Sequence, residues 1–62
     1  MDDYYWKFYG DVVYELECLL DITSSDAQGL VDSHDSLLRR SLSKGLSARA
    51  AAKLIDKASR ID

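Results

Sequence analysis

A chain of 62 residues with 11 acids against eight bases and a net charge of −3 is one small domain, and at that size folding buries only about 60% of the unfolded surface. The single cysteine, Cys18, rules out an internal disulfide, and with the single histidine, His34, it falls short of the roughly four ligands of a structural zinc site. No apolar run approaches the roughly 20 residues of a membrane span, so no staple is visible beyond good helix packing or self-association, and self-association is favoured.

The first residues are acidic and aromatic rather than basic and then apolar, so no secretory leader is expected. A free thiol suits a reducing, cytoplasmic setting. The net negative charge weighs against non-specific nucleic-acid binding. Charge is unevenly placed. Residues 1–22 hold six acids against Lys7, while residues 46–62 hold four bases against Asp56 and Asp62. Either the two ends lie against each other or each faces a different partner.

Helical periodicity predicts three helices, near 3–20, 25–43 and 47–59. In the first, Asp2 or Asp3 suits the positive end of the helix dipole. Tyr5, Phe8, Tyr9, Val12, Val13, Leu16, Leu19 and Leu20 share one broad face at about 100° per residue. Gly10, in mid-helix, is kept for close packing or simply tolerated, at about 1 kcal/mol against alanine.

Residues 21–24 form a break, after which Thr23 with Asp26, or Ser25 with Gln28, has capping-box spacing. The second helix places Ala27, Leu30, Val31, Leu37, Leu38 and Leu42 in a 3-4 pattern. Gly45 is placed to end it in the left-handed conformation, Ser47 to cap the next helix and Leu46 to staple it. The third helix carries a narrow stripe of Ala51, Leu54, Ile55 and Ala58, with Arg49, Lys53, Lys57 and Arg60 on its far side. The expected core is Val12, Leu16, Leu19, Leu30, Val31, Leu37, Leu38, Leu54 and Ile55. The expected fold is all-α, one compact three-helix domain, with a helical hairpin completed by a second chain as the alternative.

Four tyrosines and a tryptophan fall within the first 14 residues. Tyr4, Trp6 and Tyr14 lie off the core face or at its edge, and such rings are favoured interface anchors. With Asp11 and Glu17 they form the candidate partner-binding face, unless the rings merely roof a thin core. His34 sits among the apolar positions of the second helix. It reads as a core histidine bonded to a tyrosine hydroxyl or a backbone carbonyl, or as a pH-sensitive residue at a dimer seam. The stripe Ala27, Leu30, His34, Leu37 and Ser41 has coiled-coil-like spacing, which points to a homodimer. Cys18, flanked by Glu15 and Glu17, reads as an inert thiol.

The segment Gly45-Leu46-Ser47-Ala48-Arg49-Ala50-Ala51-Ala52-Lys53-Leu54 resembles the opening of a helix-turn-helix unit, in which a Gly-Leu-Ser turn precedes an alanine-rich first helix. The resemblance implies a recognition helix further on. Only eight residues follow Leu54, and they read as the end of the same helix, so DNA binding is not carried over.

No catalytic, cofactor or metal constellation is present in the sequence, and an enzyme is not expected. The expected function is that of a small acidic interaction module, of the phage or mobile-element type that inhibits or adapts host machinery. It would bind a protein partner through its aromatic-acidic N-terminal helix. The alternative is a dimeric DNA-binding or transcription-regulating module using the basic third helix.

Overall fold

Helix α1 spans Asp3–Leu20, α2 Ser24–Ser33, α3 Asp35–Ser43 and α4 Ala48–Ser59 in a computed structural model that describes residues 3–60. The expected all-α class is present, with four helices instead of three. The last helix packs back onto the first, so the hairpin awaiting a second chain is not the form adopted.

The local signals act where the sequence places them. The Thr23 hydroxyl accepts from the Asp26 amide at 3.2 Å and starts α2, which decides between the two candidate caps. The Ser47 hydroxyl accepts from the Ala50 amide at 3.1 Å and starts α4. Gly45 takes φ of 74°, and the amides of Gly45 and Leu46 turn back to the carbonyls of Leu42 and Ser41, both at 3.0 Å. That is a Schellman closure. Asp21 closes α1 the same way at φ of 54°, with the Ile22 amide reaching the Glu17 carbonyl. Here a side chain occupies a conformation that favours glycine.

The second predicted helix is divided at His34, whose φ of −120° and ψ of 38° leave the helical region. Its amide closes α2 on the carbonyls of Leu30 and Val31, and its own carbonyl accepts from Leu38 to open α3. Asp32, Ser33, Asp35 and Ser36 surround it, residues whose side chains compete with helical backbone bonds. Apolar periodicity ran through this polar stretch and concealed the break.

The helices enclose Phe8, Val12, Val13 and Leu16 from α1, Ala27 and Val31 from α2, Leu38 from α3, and Ala51, Ala52 and Ile55 from α4. Ser41 is also buried, and its hydroxyl donates to the Leu37 carbonyl at 2.9 Å. Among the described residues, no buried side-chain polar atom lacks a partner. Two expected core residues lie outside: Leu19 is 46% exposed and Leu54 40%. The alanine face of α4 accounts for both, because Ala51 and Ala52 bring α4 close and leave larger side chains on the shoulders of the contact. Leu30 and Leu37 are half-buried.

The coiled-coil-like stripe is not one free ridge. Ala27 and Ser41 are buried within the chain, and only Leu30, His34 and Leu37 between them are partly exposed.

Candidate functional site

Helix α1 is central. It runs antiparallel to α2–α3, with Glu17 beside Ser24, Tyr9 beside Asp32 and Tyr5 beside Asp35. Its other flank meets α4, where Glu15 and Arg49 form an ion pair at 3.6 Å. Among the described residues this is the one ion pair joining the acidic first helix to the basic last one. The remaining surface of α1 faces solvent.

Four of the five candidate contact residues, Tyr4, Trp6, Asp11 and Tyr14, belong to that outer side, with Glu17 at its α2 edge, and they do not converge on one point. Tyr4, 71% exposed, and Asp11 border the start of α4, in a shallow groove shared with Lys7, Phe8 and Leu46. The Asp11 carboxylate accepts from Lys7 at 3.4 Å. Trp6 and Glu17 lie on the opposite flank, toward α2. Glu17 is half-buried and accepts from the Ser24 hydroxyl at 3.1 Å, which holds it against the start of α2. Tyr14 stands on the ridge between the two flanks. The neighbouring Cys18, one turn on, raises its hydroxyl pKa.

Trp6 and Tyr14 are each 62% exposed and stand about 12 Å apart along the helix axis. Gly10 lies midway between them, one turn from each. A methyl group built there meets nothing within 4 Å, so the glycine serves no close packing. It leaves an open floor between two rings.

Trp6 is held in place. Its ring meets the edge of Tyr5 with centroids 5.0 Å apart, and that of Tyr9 at 5.5 Å. Those tyrosines are anchored in turn. The Tyr5 hydroxyl donates to Asp35 and the Tyr9 hydroxyl to Asp32, both at 2.9 Å. Arg39 donates to Asp35 at 2.7 Å and stacks over the Tyr5 ring at 5.0 Å. Arg39, then Tyr5, lowers the Asp35 pKa. Burial first, and the carboxylate bonds second, raise the pKa of Tyr5 and Tyr9.

This support was not read from the sequence, where Tyr5 and Tyr9 belong simply to the core face. A signal was available in the similar spacing of Tyr5 and Tyr9 on α1 and of Asp32 and Asp35 in the segment that runs antiparallel to it.

His34 is half-buried at the α2–α3 break. Its Nδ1 lies 2.9 Å from the Leu30 carbonyl, a contact that requires the proton on Nδ1. Cys18 is exposed and borders a groove of about 270 Å³ with Glu15, Leu19, Arg49, Ala52 and Lys53. That groove is open and falls below the roughly 300–1,000 Å³ of small-molecule pockets. Among the described residues no cluster of His, Cys, Asp and Glu is placed to hold a metal ion, and no helix is long and apolar enough to cross a membrane.

The described residues form an all-α globule that presents these side chains on helix surfaces and in shallow, open grooves. The chain matches no protein family, no curated protein and no solved structure.

Proposed function

We propose that this chain is a protein-interaction module that binds a protein partner through the solvent side of α1. One observation carries the reading: three large rings, Tyr4, Trp6 and Tyr14, stand 62–71% exposed on one helix of a 62-residue chain. Rings held on a rigid helix lose little conformational entropy on binding, and Trp6 is already fixed by Tyr5 and Tyr9. The anchor is Trp6, Gly10 supplies the floor for an incoming side chain, and Tyr14 closes the far side. Tyr4 and Asp11 extend the contact toward α4, and Glu17 toward α2.

The same surface and the half-exposed Leu30, His34 and Leu37 support self-association as a homodimer. The exposed free thiol fits a reducing, cytoplasmic setting. The small open grooves speak for binding rather than catalysis.

The test is affinity capture with the wild-type chain, Trp6→Ala and Tyr14→Ala, followed by titration of any captured protein against each. Trp6→Ala is expected to lose about 2 kcal/mol or more of binding, the size of an interface hot spot, with an unchanged helical circular dichroism signal. A captured protein that binds Trp6→Ala and Tyr14→Ala as tightly as wild type contradicts the reading.

A further inference from the structure

The net charge of −3 conceals a separation that the fold makes spatial. Residues 3–34, which carry α1 and α2, hold seven acids against Lys7; residues 35–60, which carry α3 and α4, hold seven bases against Asp35 and Asp56. Both acids of the basic half are already engaged, Asp35 by Arg39 and Asp56 by Arg60. Arg40, Lys44, Lys53 and Lys57 have no ion-pair partner among the described residues, and all four are exposed. They belong to one structural unit, helix α3, the tight turn at 44–47 and helix α4.

The spacing on α4 runs against helix stability. Arg49, Lys53 and Lys57 recur every four residues, and like charges at that spacing cost a few tenths of a kcal/mol per pair. Such a local penalty is the kind retained at functional sites.

We infer that α3, the turn and α4 form a second binding surface, directed at the phosphate backbone of duplex DNA, with α4 as the helix that approaches the groove. The outer side of α4 offers Lys57 and, at the rim of the groove shared with α1, Lys53, while Arg49 beside them is paired with Glu15.

Other ligands fit this surface less well. A protein interface needs a large anchor residue, and among the described residues this side offers only Leu54 at 40% exposure. A membrane surface needs a broad apolar face on the helix, which is absent for the same reason. Single-stranded nucleic acid is held by aromatic stacking, and the exposed rings all lie on α1. Double-stranded RNA closes its major groove to side chains, whereas the roughly 12 Å major groove of DNA admits a helix.

The experiment is fluorescence anisotropy of a labelled duplex of about 20 bp and arbitrary sequence, titrated with the full chain from about 50 to 200 mM salt. Four phosphate contacts predict a slope of log K against log salt of about −4, a loss of about 10²-fold across that range. Lys53→Gln with Lys57→Gln is expected to bring the slope to about −2, since each lost contact removes about one. Arg40→Gln with Lys44→Gln provides a second pair on the other helix. Circular dichroism confirms that each variant is folded. Trp6→Ala is expected to bind DNA like wild type, which separates this surface from the one proposed on α1. The inference is overturned by no binding at about 10⁻⁴ M protein and low salt. It is equally overturned by binding that both glutamine pairs leave unchanged, or by equal affinity for poly-glutamate.

Discussion

Tyr5→Phe removes one hydroxyl and leaves the ring that supports Trp6. That hydroxyl donates to Asp35 at 2.9 Å, and Asp35 also accepts from Arg39 at 2.7 Å. Hydrogen bonds to charged groups contribute about 1.5–3 kcal/mol when sheltered, and the Asp35 side chain is 45% exposed. Solvent screening brings the expectation down to about 1 kcal/mol, or about 4–8 °C in Tm for a domain of this size. The sign with pH follows from proton binding. Arg39 and Tyr5 hold the Asp35 carboxyl below its ordinary value. Its stabilisation is therefore present above the unfolded carboxylate pKa of about 3.9 and is lost as pH falls through the lower folded value. At the alkaline end, burial and then Asp35 raise Tyr5. That contribution is present below about pH 10 and is lost as pH rises through the folded value. Thermal melts of wild type and Tyr5→Phe should thus differ most between these limits and converge in acid. A Tyr5→Phe protein as stable as wild type at neutral pH, or a constant gap down to about pH 2, would refute the claim that this bond links α1 to the start of α3.

Leu16→Ala and Leu38→Ala, at side chains with no exposed surface, should each cost about 2–5 kcal/mol and leave the chain largely unfolded by circular dichroism. Asp21→Gly should stabilise by about 0.5–1 kcal/mol, read as a higher Tm, because residue 21 sits at φ of 54°. Equilibrium sedimentation should show a species of twice 7.0 kDa at micromolar concentration, and a purely monomeric profile removes the homodimer.

The start of α2, the end of α3 and the start of α4 were legible because each has a local cause. Gly45 had to be glycine-like to close α3, and Ser47 needed only its own hydroxyl to open α4. Five of the nine expected core residues, Val12, Leu16, Val31, Leu38 and Ile55, are fully buried, since they lie at the centre of their apolar faces. Leu19 and Leu54 were misplaced because a helical wheel shows which side is apolar without showing how close the neighbour comes. The break at His34 was missed for a related reason. Leu30, Val31, Leu37 and Leu38 keep helical spacing across it, while the polar residues Asp32, Ser33, Asp35 and Ser36 lie between them. The exposed rings were legible at Tyr4, Trp6 and Tyr14. Their division between the two flanks of α1 depends on where α2 and α4 settle, which no single helix records.

Charge separation and core size bear on each other in this chain. A chain selected only for stability would use its basic helix to neutralise its acidic one, yet Glu15–Arg49 is the one ion pair across that contact among the described residues, and Arg49 is 75% exposed. An exposed pair of this kind contributes little. The bases of α4 therefore do not hold it to α1. The small apolar contact through Ala51, Ala52 and Ile55 does, against Val12 and Leu16 in the shared core. This leaves the outer side of α4 free to vary in charge without loss of the fold, and the outer side of α1 free to carry rings. On this argument, neutralising Lys53 and Lys57 should leave the Tm unchanged or raise it slightly, as like-charge repulsion is relieved. A large fall in Tm would mean that these lysines are structural, and would remove the ground for assigning them to a ligand.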